Sequence, residues 1–358
     1  MLILTFYKQH REKIVVVKVT IQKIAELCGV SIMTVSRVFN PEKAAMVRES
    51  TRQKVLAVAK EYNYHPVMIG KSFMTGKTYK VGLILDSMTS DLSSPTFSRF
   101  MEGACAELQT RNYTLVLLLA KDVEKHSGAN VSRLLSSKVA DGYILGKSML
   151  LEAVKGALNK APVVLLSSQE GDVPEVFKHI QIRRSPVSAF KAMWELIPAE
   201  LRKSVALVAP EEKYYTRSGR AQLIGSLAPA GAEVKNFFSP HRPGFLVDRA
   251  NAAAVAEEHF AELRKYKVIW GVSDLFALGV ADVFRRHGLL PGRDYYLLGV
   301  DNLEPAMQGV EPVLTTCDQR WDEVGRVAAA TLLDMIAGKT IEERELAVVS
   351  RVVRRTSL

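Results

Sequence analysis

The chain is short of the features that mark several large protein classes. It has only 3 cysteines in 358 residues, Cys28, Cys105 and Cys317, widely spaced and with no CxxC pair. That pattern excludes a disulfide framework and a zinc-thiolate site and predicts reduced thiols. The 7 histidines show no metal-ligand spacing. GxGxxG, GxSxG and HExxH are all missing, so neither a cofactor nor an enzymatic activity is expected. No apolar run approaches the roughly 20 residues a bilayer requires, which excludes a membrane-spanning helix. Met1 to Tyr7 is apolar but too short for a signal-peptide core, and Lys8, Arg11 and Lys13 come after it rather than before. No export signal is read there, and a cytoplasmic location is expected.

What remains is the balance of an ordinary globular protein, 48% hydrophobic and 24% charged, with length for two or three domains. The net charge of +10 is unevenly placed. Residues 1–80 hold 14 Lys and Arg against 5 Asp and Glu, whereas the other 278 hold 34 against 33. A basic module joined to a neutral body points to a polyanionic partner. A solvated lysine-rich tail is the alternative, but it would lack the apolar periodicity found here.

Residues 1–19 show no such periodicity and are expected to be an unstructured extension. A mis-assigned start, with the first residue among Val15 to Val17, is the alternative. From Thr20 the pattern changes. Thr20 suits an N-cap, Ile21, Ile24, Ala25, Leu27 and Cys28 recur at helical spacing, and Gly29 supplies a stop. Ser31 caps a second helix whose inner face carries Val35 and Val38, and Asn40-Pro41 ends it. A third helix is expected at about 49–62. Two short helices joined by a tight glycine-containing turn make a helix-turn-helix.

The run from Thr20 to Asn40, with Ala25, Gly29-Val30-Ser31, Thr34-Val35-Ser36-Arg37-Val38 and Asn40 in place, resembles the lactose/galactose-repressor family of transcription regulators. Thr51-Arg52, Lys54-Val55, Asn63-Tyr64 and Pro66 continue the likeness. The resemblance implies that the second helix enters the major groove of double-stranded DNA at a pseudo-palindromic operator. Base reading then falls on Ile32, Met33 and Arg37. Arg37 can donate two hydrogen bonds to guanine, whereas Ile32 and Met33 are limited to thymine methyls or groove shape. Thr20, Ser31, Thr34, Ser36 and Arg48 are candidates for phosphate contacts. Helix capping is the competing role for the hydroxyl residues.

Residues 65–79 form the linker. In the family this stretch is a hinge helix that orders on DNA and wedges an apolar side chain into the minor groove, which assigns that role here to Phe73. An ordinary linker with a buried phenylalanine is the alternative. Gly70 to Thr78 imitates a phosphate-binding loop, but five residues separate Gly70 from Gly76 where four are required, and the segment precedes a strand.

Residues 80–358 form the body. Short apolar runs (Val81–Leu85, Thr114–Leu119, Tyr143–Leu145, Val163–Leu166, Val205–Val208, Val268–Trp270 and Tyr296–Val300) alternate with helical stretches. They read as strands buried on both faces, hence parallel sheets in two α/β subdomains. Ser273-Asp274, Ala277-Leu278-Gly279, Leu298 to Asn302, Leu314 to Gln319 and Arg354 to Leu358 are similar to the family's effector-binding core. The expected fold class is therefore α/β, an all-α helix-turn-helix domain (20–64) followed by a body like a periplasmic binding protein. The resemblance implies three crossings between subdomains, near 182, 302 and 323. That gives a first subdomain of about 80–182 and 303–322 and a second of about 183–302 and 323–358. The end at Leu358 implies no tetramer-forming tail, so a homodimer is expected.

Effector contacts carry over to Thr96, Phe97, Arg220, Asp274, Asp301 and Gln319. Helix capping is the competing role for the two aspartates, and core packing for Phe97. Arg183-Arg184, Arg217 and Arg220 would make the cleft basic and suit an anionic effector such as a sugar acid. The alternative is that these arginines face water. The sequence thus reads as a DNA-binding regulator of the repressor kind, controlled by a small molecule. A cytosolic solute-binding protein or an architectural DNA-binding protein without effector control are the alternatives.

Overall fold

The computed structural model describes residues 19–40, 43–64, 75–86, 95–120, 138–145, 161–167, 179–210, 220–238, 249–303, 314–343 and 345–358. The expected extension, apart from Val19, lies outside them, as do the Phe73 wedge and Arg217. The chain divides into two compact units, Met1–Lys77 and Thr78–Leu358.

In the first unit α1 (Ile21–Cys28) begins where the Thr20 hydroxyl accepts from Lys23 N–H. It ends at Gly29, whose φ of 66° is the left-handed region; there Val30 N–H reaches back to Ala25 O at 3.0 Å. The Ser31 hydroxyl accepts from Thr34 N–H and starts α2 (Ile32–Val38). A 3₁₀ turn (Ala44–Met46) leads to α3 (Glu49–Glu61). Ile24, Ala25, Cys28, Val35, Val38, Val55, Ala59 and Tyr64 close a small core. The capping role of Thr20 and Ser31 is thus seen directly. Arg48 occupies the N-cap of α3 without a side-chain cap bond.

The second unit contains two six-stranded sheets. Its chain order is β1 (Lys80–Asp86), α4 (Pro95–Thr110), β2 (Thr114–Ala120), β3 (Gly142–Leu145), β4 (Val163–Ser167), β5 (His179–Ser185), α5 (Val187–Leu196), β6 (Ser204–Val208) and α6 (Arg220–Ser226). There follow β7 (Glu233–Phe237), α7 (Arg249–Glu258), the single turn α8 (Phe260–Leu263), β8 (Val268–Gly271), α9 (Asp274–Arg286), β9 (Tyr296–Val300), β10 (Thr315–Asp318), α10 (Trp321–Ile336), β11 (Glu345–Val349) and β12 (Arg351–Val353). The first sheet runs β11-β5-β4-β3-β1-β2 and the second β12-β10-β9-β8-β6-β7. Every pairing is parallel except β10 with β12. All seven apolar runs form strands. Among the described residues no helix is long and apolar enough to cross a membrane.

Two of the three crossings differ from the expected positions, and the first falls close to its expected place. The first lies just beyond Ser185, since β5 completes its pairing with β4 and β11 before the chain leaves. The second is not near 302, because β10 pairs with β9 and keeps the chain in the second sheet until Asp318. The third is not near 323. Helix α10 packs on the first sheet's core through Val324, Ala328, Leu332 and Leu333, and β11 follows it there. The chain returns only between Val349 and Arg351. Each displacement has one cause: strand pairing and helix burial, rather than spacing, decide where the chain changes sheet.

Helices α4 and α10 approach with glycine at both contact points. A Cβ at Gly103 would lie 1.8 Å from Asp322 O, and one at Gly325 would lie 2.1 Å from Phe100 O. Backbone on the facing helix cannot yield as a flexible side chain would. Gly325→Ala is expected to destabilise the body by about 1–3 kcal/mol through overpacking. Chemical denaturation would show this as a lower midpoint, and an unchanged midpoint would mean that the helices part freely.

Candidate functional sites

The first candidate surface is the outer face of α2. Val35 and Val38 are buried, so Ile32, Met33, Ser36 and Arg37 occupy the opposite side at i,i+4 spacing. Ile32 is 46% exposed and Met33 62%. Arg37 is exposed, and Thr34 and Ser36 are half-buried. The Ser31 and Thr34 hydroxyls lie 2.9 Å apart and share a hydrogen bond. Met46, on the turn between α2 and α3, is 71% exposed; nothing in the pattern of the sequence singled it out, because a lone methionine in a turn carries no periodic signal.

The second candidate lies at the carboxyl ends of the second sheet's strands, where parallel α/β folds place ligands. Asp301 follows β9 with a φ of 105°, and Gln319 follows β10. Asp301 is 4% exposed and accepts from four donors. Arg220, the first residue of α6, donates through Nη1 to Oδ2 at 3.0 Å and through Nη2 to Oδ1 at 3.2 Å. Gln319 Nε2 donates to Oδ1, as does Trp321 Nε1 at 3.3 Å. Arg220 also donates to Val272 O at 2.7 Å. A carboxylate this buried needs such partners, since an unpaired charge there would cost several kcal/mol.

Three expected ligand contacts, Arg220, Asp301 and Gln319, are therefore brought together. Trp321 joins them and was not anticipated, because it sits in the first turn of a helix belonging to the other sheet. Arg99 was also missed. From α4 it donates to Asn302 O at 3.1 Å and lies 3.9 Å from Asp318 and 3.5 Å from Asp322. It thus ties a helix of the first sheet to the loop after β9.

The remaining candidates are Thr96, Phe97, Arg183 and Asp274. Thr96 and Phe97 open α4 and are half-buried, and Phe97 packs against the first sheet's core. Arg183 lies in β5, its backbone in register with Ser167 on one side and Ala347 on the other; its side chain is outside the described residues. Asp274 is fully buried. Leu303 N–H donates to its Oδ2 at 2.6 Å, and its Oδ1 shares a hydrogen bond of 2.5 Å with Thr316 Oγ1. Gly299 makes room for that carboxyl, since a Cβ there would lie 2.3 Å from Oδ1. The α9 cap is not Asp274 but Ser273, whose hydroxyl accepts from Phe276 N–H.

Burial pushes the Asp274 carboxyl up to about 8, against the opposing pull of the Thr316 hydroxyl, the Leu303 N–H and Arg355. In the unfolded chain the group ionises near 4. Between those values the folded protein holds a proton that the unfolded chain has lost. The stability from this group is therefore complete below about pH 4 and falls as pH rises toward 8. Asp274→Asn mimics the protonated form, and its amide oxygen can still accept from the Thr316 hydroxyl. The substitution is expected to raise the pH 7 unfolding midpoint above that of the wild type and to flatten the decline across this window. A variant with the wild-type slope would mean that Asp274 stays ionised in the fold.

Comparisons with known proteins agree with this layout. The family described as bacterial regulatory proteins, lacI family, matches residues 20–67, and the periplasmic binding protein-like domain matches residues 205–358. The chain is similar to the HTH-type transcriptional repressor PurR of Vibrio parahaemolyticus, 26% identical over 348 residues, covering 95% of this chain and 98% of the relative. It is 24% identical over 338 residues to the ribose operon repressor of Escherichia coli K12, covering 94% and 99%. In fold it is similar to the lac repressor dimer bound to operator and the anti-inducer ONPF, with a TM-score of 0.71, 19% identity and coverage of 95% and 98%.

Proposed function

The chain belongs to the lacI family of bacterial regulatory proteins, DNA-binding transcription repressors with a ligand-binding body, and on that premise we propose that it is a cytoplasmic, homodimeric repressor released or engaged by a neutral sugar. The ribose operon repressor and PurR are relatives along nearly their whole length. That full-length likeness supports a regulator over a solute-binding or architectural protein and over an enzyme. In this reading Arg37 and its neighbours on α2 meet an operator, while Thr20, Ser31, Thr34, Ser36 and Arg48 reach phosphates and Phe73 acts in the linker.

The observation that carries the effector assignment is the charge balance around Asp301. Arg220 is neutralised by the carboxylate that it holds in a two-point contact. An anion arriving there meets a guanidinium already paired, whereas sugar hydroxyls can exchange hydrogen bonds with both members of a neutral pair. The Trp321 indole beside the same carboxylate suits the apolar face of a pyranose. Ligand binding is coupled to operator affinity by a free energy of typically about 1–3 kcal/mol.

Thermal unfolding against neutral sugars, sugar acids, phosphosugars and nucleobases tests the assignment. A ligand at about 100 times its dissociation constant adds about 2.7 kcal/mol, a rise of several degrees. A neutral sugar is expected to produce it, and Trp321→Ala to abolish it. Stabilisation by anions alone would overturn the neutral assignment. For the DNA-binding part, Arg37→Ala is expected to weaken specific operator binding by about 1–3 kcal/mol. Unchanged affinity in a gel-shift titration would remove Arg37 from the reading face.

A further inference from the structure

From the outer face of α2 we propose that this protein reads thymine C5-methyl groups in the major groove through Ile32 and Met33, so that its sequence preference at those steps is apolar rather than hydrogen-bonded. The inference rests on the DNA-binding reading above and deepens it by naming what the helix recognises.

Two large apolar side chains stand side by side in water, Ile32 at 46% and Met33 at 62% exposure. They are not turned outward by want of a core, since α2 fills its inner face with Val35 and Val38. The polar groups next to them are otherwise engaged: the Ser31 hydroxyl accepts from Thr34 N–H at 3.1 Å and shares a hydrogen bond with the Thr34 hydroxyl. What this end of the helix presents outward is therefore hydrocarbon and a thioether. One turn further along, Ser36 and Arg37 return the same face to polar chemistry.

The first 80 residues carry 14 basic against 5 acidic side chains, and that charge complements a phosphate backbone. Within the major groove the purine edges are polar, and the one methyl group on the four standard bases is that of thymine. Isoleucine offers no hydrogen-bonding atom and methionine only a weak acceptor. Placed over a purine edge they would strip water from N7 or O6 and return nothing, so they favour thymine both by contact and by exclusion of the alternatives. Arg37 supplies the complementary polar reading, for which guanine is the natural target.

The test selects binding sites with the full-length protein from random duplex DNA, in buffer and in a small-molecule extract of bacterial cells. Thymines in the enriched site are then replaced one at a time by deoxyuridine, which removes the methyl and keeps every hydrogen-bonding group. At the steps facing α2, each replacement is expected to weaken binding about fourfold, the equivalent of one buried methyl-sized group. Ile32→Ala and Met33→Ala, both at exposed positions, are expected to keep the wild-type unfolding midpoint and to lose sensitivity to the replacement at their own step. Equal affinity for thymine and deoxyuridine sites, or a penalty that survives unchanged in both variants, would overturn the inference while leaving a sequence-specific regulator in place. Enrichment of no sequence in either condition would overturn the DNA-binding reading itself, and the inference with it.

Discussion

The body turns on two carboxylates buried at the carboxyl ends of adjacent strands of the second sheet, the later of them where the chain leaves for the first sheet. Asp301 follows β9 and Asp318 ends β10, and they are 4% and 1% exposed. Burying a carboxylate costs free energy unless hydrogen-bond donors are held close. Asp301 takes Arg220, Gln319 and Trp321, while Asp318 takes Arg351 at 3.0 Å and the Arg320 backbone N–H at 2.9 Å. Those partners come from α6, α10, β12 and the crossing segment itself. The demand for partners therefore brings together elements from both sheets at the carboxyl edge of the second sheet's strands. A molecule that rearranges these hydrogen bonds acts on the joint between the sheets and not on a remote pocket wall.

The glycines at the α4–α10 contact serve the same arrangement. Helix α10 must leave Asp318 and settle at once on the first sheet's core, which requires close approach to α4. Close approach in turn places Arg99 beside Asn302, Asp318 and Asp322. Packing and charge pairing at this joint are thus two aspects of one geometric requirement. The DNA-reading unit obeys a different logic. Its core is small, its first two helices are short and capped by Thr20 and Ser31, and Ile32, Met33 and Arg37 stay exposed on the outer face of α2.

Much of this was legible in the residues. The seven strands rich in Val, Leu and Ile were visible, six of them because strands buried on both faces are apolar throughout, whereas β2 is equally apolar but an edge strand with Leu117 40% exposed. Strands β5, β7, β10, β11 and β12 were not. The β5 segment carries His179, Arg183 and Arg184, β7 is a largely exposed edge strand, and β10 is Thr-Thr-Cys-Asp. Their strand character comes from neighbours that complete their hydrogen bonding, which no local pattern records. The grouping of Arg220, Asp301 and Gln319 followed from resemblance, whereas Trp321 and Arg99 had no signal because both come from helices that pack on the other sheet.

By itself the sequence determined the elements whose physics is local: the capped helices of the basic unit, the left-handed Gly29 turn, the apolar strands, and the exposed chemistry of Ile32, Met33 and Arg37. Caps, turns and periodicity are set by residues within a few positions of one another, so they can be read along the chain. Only the tertiary structure decided where the chain crosses between the sheets. It also decided that Asp274 is an internal tie, with Ser273 as the α9 cap, and that Arg220 spends its charge on Asp301. Those outcomes depend on residues tens to hundreds of positions apart competing for the same buried space, and burial converts each polar group's available partners into its role.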